Sequence, residues 1–473
     1  MDEAHWLFWH RRDLRLSDNV GLAELIRHSR AVTGVFLLEP HWWRGELAAP
    51  SRLWFLLESL RELQQAWRRI GSRLLVLQGE ALTLLPALAA RTQARGVAWN
   101  EDVEPWARLR DAAVARRLAA DGVRVQRQWD QLLVEPASLT TGSGGPYRVY
   151  GPYRRAWFAR PKPAPRPAPG GLVDHLRGQD LGLSSVLEQL PTAAGMGLPW
   201  QGDCPCQPGE AAALEQLEAF VHRPITSYDT DRNIPSLDGT SRLSAALRFG
   251  TLGPRSAWAA SLQAEAGCGS EEALRAINVW QQELAWREFY QQALFHLPEL
   301  ADGPYRPQWR RFPWDNDGAL FQAWCEGRTG YPIVDAAMRQ LNATGWMHNR
   351  CRMIVASFLT KDLFCDWRLG ERYFMATLVD GDLAANNGGW QWSTSSGMDP
   401  RPLRIFNPTT QARQFDPEGV YIRRWLPELA SCDAGELLGS AVSTAAKRGY
   451  PAPIVDHRSR QAEFKARYAS IRP

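Results

Sequence analysis

The sequence predicts two domains of different class: an α/β domain on a parallel sheet over residues 1–135 and an all-α domain over 210–473, with a long linker over 136–209 between them. Three observations carry this expectation. Short apolar runs of strand length recur through the first 130 residues, with helical patterns between them. A proline-rich stretch follows. Beyond about residue 210 strand signals fade and only helical periodicity remains.

Residues 6–9, 32–38, 74–77, 97–99 and 123–125 are the expected strands. Between the second and third, Leu53, Leu56, Leu57, Leu60, Leu63, Trp67 and Ile70 recur at helical spacing and predict an amphipathic helix. Residues 108–120 predict another, ended by Asp121-Gly122. Strand–helix alternation implies a parallel sheet with helices on both faces. No GxGxxG follows the first strand, which runs instead into HRRDLRLSDN. That argues against an ordinary dinucleotide-binding fingerprint.

In the linker, prolines at 161, 163, 165, 167 and 169 precede Gly170-Gly171. Such a run is extended and joins neither sheet nor helix. It could be a free tether or a loop packed on a domain. Helices are then expected over 214–221, 273–297, 319–327, 333–341, 350–363 and 369–378, without an internal repeat.

With 473 residues the chain is long enough for two large cores. A net charge of +4 and a pI near 8.7 are only mildly basic, so any nucleic-acid surface must be a local patch. Tryptophan is abundant, 22 in all, which suggests stacking work beyond core filling. Of the seven cysteines, Cys204 and Cys206 sit in GDCPCQPG without a matching zinc pair. Free thiols in a reducing compartment are expected. The N-terminus lacks the basic and long apolar regions of a secretion signal, and no apolar run approaches a membrane span. A soluble cytoplasmic protein is the expectation.

The densest chemistry lies in DGDLAANNGGWQW, residues 380–392. If helical, Trp390 and Trp392 point to nearly opposite sides, being about 200° of turn apart. In 227–250, Thr240 or Ser241 is a candidate N-cap for the helical run 243–249, beside unpaired N–H groups suited to phosphate. In WQQELAWREFY, Glu283, Trp286, Arg287 and Tyr290 share one helix face. In WMHNRCRMIVASF, Asn349, Arg352 and Met353 share another, and an Arg there could pair with Asp380 or Asp382.

These segments, with FWHRRDLRLSDN at one end and RGYPAPIV at the other, resemble the DNA photolyase/cryptochrome family across nearly the whole chain. They are most similar to class I cyclobutane pyrimidine dimer photolyases of cyanobacterial type. The resemblance implies a Rossmann-like N-terminal domain and a helical domain holding FAD in a folded conformation. It implies that Tyr228, Thr240, Ser241, Arg242, Leu243 and Ser244 lie along the flavin phosphates, although Arg242 stands where relatives vary. Arg352, Asp380 and Asp382 would contact the isoalloxazine and neighbouring sugar, and Asn386 the reactive ring nitrogen. The working cofactor would be reduced, anionic FAD, whose charge a guanidinium stabilises in a low-dielectric site.

The implied substrate is UV-damaged DNA. Enzymes that act on a base, photolyases among them, take it out of the stack at a cost of a few kcal/mol, roughly. Trp286 and Trp392 would pack on the two bases of the dimer, at about 1–3 kcal/mol per stacked base. Glu283 and Asn349 would hydrogen-bond the base edges, and Met353 would fill the pocket beside them. Arg232, Arg350 and Arg404 would meet flanking phosphates, which position without specifying. Trp390, Trp367 and Trp314 resemble the family's electron-transfer chain to oxidised flavin. WNEDVEPW, 99–106, resembles the antenna segment of deazaflavin-using members, so Arg52, Asp102 and Glu104 are candidates for 8-hydroxy-5-deazaflavin, with methenyltetrahydrofolate the alternative. The implied activity is light-driven repair of cyclobutane dimers by a monomeric enzyme without metal. A cryptochrome, a photoreceptor without repair, is the alternative; it would have no use for a full dimer-binding set.

Overall fold

A computed structural model describes residues 4–398, 403–438 and 449–471. Strands β1 (Trp6–His10), β2 (Val32–Leu38), β3 (Leu74–Gln78), β4 (Gly96–Asn100) and β5 (Arg124–Gln128) form one sheet in the order β3-β2-β1-β4-β5, with every pair parallel. The sequences WLFWH and VTGVFLL are buried at every position, as a sheet covered on both faces requires. Trp6 stands opposite Gly96, where a Cβ would meet its ring at 2.2 Å. The strand order reverses at β1, so the crevice of the sheet opens where HRRDLRLSDN begins.

Helices α1 (Val20–Leu25), α2 (Pro50–Arg69), α3 (Ala81–Arg91) and α4 (Pro105–Ala120) connect these strands. The Leu53–Trp67 stripe on α2 is buried as its spacing predicts. The sequence reading did not anticipate α3, which carries Pro86 in its interior.

The segment 136–209 is packed along much of its course. It contains α5 (Tyr150–Ala159), whose Tyr153 and Trp157 are fully buried. The Leu187 N–H donates to the Val76 carbonyl at 2.8 Å, and the Gln78 N–H to the Ser185 carbonyl at 2.9 Å, a short antiparallel addition to the β3 edge. Leu172, Leu176, Cys204 and Cys206 are buried. Residues 161–169 have no regular structure.

The rest is helical: α6 (Glu210–His222), α7 (Tyr228–Asp231), α8 (Ser244–Phe249), α9 (Pro254–Ala266), α10 (Glu271–His296), α11 (Gly318–Cys325), α12 (Pro332–Thr344), α13 (Asn349–Lys361), α14 (Trp367–Thr377), α15 (Leu383–Thr394), α16 (Pro408–Phe415), α17 (Val420–Trp425), α18 (Ala434–Leu438) and a last helix, His457–Ser470. Among the described residues, no helix is long and apolar enough to cross a membrane.

Buried ion pairs clamp the two domains. Arg12 pairs with Glu104 at 2.7 Å and with Asp382. Arg255 joins Asp18 at 2.5 Å and Asp130 at 2.6 Å, and Arg15 shares Asp130 at 2.6 Å. Burial would discharge Arg12, but Asp382, Asp102 and Glu104 outweigh it and hold the guanidinium charged. HRRDLRLSDN, which the sequence marks as a departure from a nucleotide fingerprint and as one end of the family resemblance, is therefore the joint of the molecule.

Candidate active site

Helices α7, α8, α10, α13 and α15 wall a cavity of about 880 Å³ in the helical domain. The volume falls within the range of cofactor and substrate sites. Every flavin-binding and DNA-binding residue expected from the sequence lines it.

Most of DGDLAANNGGWQW folds as α15, whose N-cap Asp382 accepts through its carboxylate from the Ala385 N–H. Burial pushes the Asp382 carboxyl up, but Arg12, then Arg248, outweigh it and hold it at about 2. The two indoles diverge as the helical period requires. Trp390 is 2% exposed and meets Phe374 edge-on at 5.0 Å, whereas Trp392 is half-buried under the Arg404 guanidinium at 4.6 Å. Asn386 donates to the Glu371 carbonyl oxygen at 3.0 Å, and Asn387 to the Glu371 carboxylate at 2.8 Å. Burial raises Glu371 to about 7. Nothing in the sequence singled out Glu371, since its partners lie 15 and 16 residues away.

On α13, Arg352 pairs with Asp380 at 2.8 Å, so Asp380 rather than Asp382 is its carboxylate. Met353 is half-buried in the wall, and Asn349 is exposed within it. His348 caps this helix, its Nδ1 accepting from the Arg350 N–H, and burial followed by Arg350 and Arg352 lowers it to about 3. It is neutral at physiological pH and supplies no acid.

Glu283 on α10 accepts from Arg232 at 2.5 Å. Arg350 donates to Asn233 at 2.6 Å and lies over Phe415 at 4.2 Å. Two of the three arginines expected at phosphates, Arg232 and Arg350, thus also brace the wall. The N-cap expectation is corrected: α8 starts at Ser244, its N-cap is Leu243, and no side chain caps it. Arg242 has φ +50°, which turns the chain so that residues 240–244 pass along the cavity before the helix begins. Tyr228 is buried beside them.

Trp367 and Trp390 are buried in one core cluster, and Trp314 packs against it, 4.3 Å from Phe312. Arg52, Asp102 and Glu104 lie outside the cavity. Arg52 donates to the Met375 carbonyl at 2.5 Å, and burial followed by Arg248 lowers it to about 9. Glu104 accepts from Arg12 and from the Trp106 indole N–H at 2.8 Å. The sequence reading missed Tyr150, whose ring stacks on Trp286 with centroids 3.4 Å apart.

A parallel-sheet domain clamped to a helical domain with an aromatic-walled cavity defines a two-domain protein with a cavity of cofactor-binding size. Residues 280–470 match the FAD binding domain of DNA photolyase, and residues 6–170 match DNA photolyase. The chain is 55% identical to a deoxyribodipyrimidine photo-lyase of Synechococcus sp., over 98% of this chain and 96% of that one. A bacterial class III photolyase from Agrobacterium tumefaciens superposes with TM-score 0.88 at 37% identity, over all of this chain and 98% of that one. An archaeal photolyase from Sulfolobus tokodaii, solved with two FAD molecules, superposes with TM-score 0.83 at 31% identity, over 98% of this chain and all of that one. The chain belongs to the DNA photolyase family.

Proposed function

We propose that this protein is a light-driven lyase that splits cyclobutane pyrimidine dimers in UV-damaged DNA with reduced FAD. One observation carries this: a single cavity holds both the Arg352–Asp380 pair with Asn386 and the set Trp286, Trp392, Glu283, Asn349 and Met353.

The residues present fit the cofactor. Asp380 Oδ1, Arg242 Nε and Arg248 Nη1 are buried with no hydrogen-bond partner among the described residues, and all three side chains line the cavity. Leaving such groups unpaired costs about 1–3 kcal/mol each, so they call for a polar ligand. When bound in its reduced form, FAD would supply light absorption and reversible one-electron transfer to the dimer.

The chain does the rest. Tyr228 and residues 240–244 would hold the phosphates, and Arg352 with Asp380 the isoalloxazine. Asn386, anchored by its amide N–H to Glu371, keeps its carbonyl oxygen for the ring nitrogen. Trp286 and Trp392 receive the two bases. Glu283, fixed by Arg232, and Asn349 hold the base edges while the cyclobutane bonds break, and Met353 excludes water beside them. Arg232, Arg350 and Arg404 serve the neighbouring phosphates. Trp390, Trp367 and Trp314 feed electrons to oxidised cofactor. A photoreceptor without repair would need none of the lesion-facing side chains.

Arg52, Asp102 and Glu104 at the domain joint would serve an antenna, 8-hydroxy-5-deazaflavin before methenyltetrahydrofolate. The enzyme would act as a monomer in the cytoplasm. Blue light on the reduced protein with an oligonucleotide carrying one thymine dimer tests the reading. Restored thymine absorbance is expected; no recovery overturns it, and the protein's own absorbance spectrum identifies the antenna.

A further inference from the structure

Tyr150 belongs to the linker, yet it makes the closest ring contact among the described residues. Its ring lies on the Trp286 indole with centroids 3.4 Å and planes 9° apart. Tyr153 and Trp157 of the same helix are fully buried, as core residues are, whereas Tyr150 is only half-buried and lines the cavity. Its hydroxyl donates to the Gln282 carbonyl at 3.0 Å, one turn before Trp286 on α10. Arg154, one turn further along α5, donates to the Gln282 side chain at 2.6 Å. The ring edge also meets Phe289 at 5.8 Å. The start of α5 is thus pinned to α10 where α10 presents Trp286.

An indole has two faces. With Tyr150 on one, Trp286 offers a base only the other, in an orientation set before the base arrives. We infer that Tyr150 is a positioning residue for dimer recognition, acting through Trp286, and that this makes the linker helix part of the lesion site. The inference rests on the repair reading above. A side chain held in its bound orientation loses less freedom on binding, and an aromatic pair adds its own attraction. Together these are worth roughly three- to tenfold in affinity.

The test uses the flavin-loaded full chain as wild type, Tyr150→Leu and Tyr150→Phe. Each is titrated with an oligonucleotide carrying one thymine dimer and with the undamaged oligonucleotide, and repair is followed from limiting to saturating substrate. Tyr150→Leu should bind the damaged oligonucleotide roughly three- to tenfold more weakly, raising KM while kcat holds, and should bind undamaged DNA unchanged. Tyr150→Phe keeps the stack and should stay within about twofold of wild type. Equal weakening toward both oligonucleotides, or loss of flavin or of the thermal transition in Tyr150→Leu, would mark a merely structural role and overturn the inference. If Tyr150→Leu discriminates as well as a discriminating wild type, the inference fails alone. If wild type shows no preference for the dimer, the repair reading fails and takes the inference with it.

Discussion

Glu283 reaches a guanidinium 51 residues away, and the pair sits in the wall where a flipped base would lie. A hydrogen bond to a charged group contributes about 1.5–3 kcal/mol, and if Glu283 acts on the splitting dimer most of that belongs to the reaction rather than to docking. Glu283→Ala should therefore slow repair by roughly ten- to a hundredfold and weaken DNA binding much less. Parallel titrations and repair rates check this; equal losses would remove Glu283 from the chemistry. Glu371 makes a different prediction. Burial raises its carboxyl from 4.5 to about 7, so between those values the folded protein holds a proton that the unfolded chain has released. Stability then falls as pH rises through that window, by up to about 3 kcal/mol from this group. Glu371→Gln removes the term, so its stability relative to wild type should climb between pH 5 and pH 8 in denaturant unfolding. A constant difference would mean the carboxyl titrates normally.

At the scale of elements, α14 and α15 pack with no spare volume. A Cβ at Gly370 on α14 would lie 2.1 Å from the Trp390 ring on α15. Overpacking of this kind costs about 1–3 kcal/mol, so Gly370→Ala should lower the unfolding free energy by that amount, measured with flavin bound. Trp367, the first residue of α14, is the middle member of the proposed tryptophan series. Trp367→Phe should abolish photoreduction of oxidised flavin yet leave repair by chemically reduced enzyme nearly intact. Absorbance under illumination reads the first and dimer repair the second; a variant inactive even when reduced would place Trp367 elsewhere. Elements with strong periodicity were legible in the sequence: α2 by its leucine stripe, β1 and β2 by unbroken apolar runs, and the faces of α10 and α13 by their spacing. What escaped has physical reasons. Pro86 breaks the expected pattern of α3, and α5 lies in a stretch whose prolines dominate its composition. The start of α8 shifted because Arg242 adopts a left-handed turn that propensity does not anticipate. Most site residues were legible as a resemblance, whereas Tyr150 and Glu371 matter through neighbours that only folding supplies.

Arg12 and Asp382 are 370 residues apart in sequence, and their pair joins the sheet domain to the first residue before α15. Arg12 also faces Glu104 at 2.7 Å and Asp102 at 3.5 Å, and all four side chains are less than a tenth exposed. Buried charges in a sequence look like surface charges, so no local pattern announces such a joint. Its energetics are asymmetric. A complete buried pair adds little over an apolar substitute, but removing one partner strands the others at about 3–5 kcal/mol. Arg12→Met leaves three buried carboxylates around an apolar side chain and should cost about that much at pH 7. The pH dependence follows from Asp382. Its carboxyl is held at about 2 against an ordinary 3.8, so its stabilising contribution is complete above 3.8 and disappears as pH falls toward 2. Without Arg12 the same carboxyl titrates higher, and acid loss should begin at a correspondingly higher pH. Arg12→Lys keeps a charge without the two-pronged geometry and should fall between the two. Denaturant unfolding at pH 7 and acid titration of flavin-loaded protein, followed by flavin release, measure both effects. An Arg12→Met variant as stable as wild type and with an unmoved acid limb would mean that the Arg12 cluster does not hold the domains together.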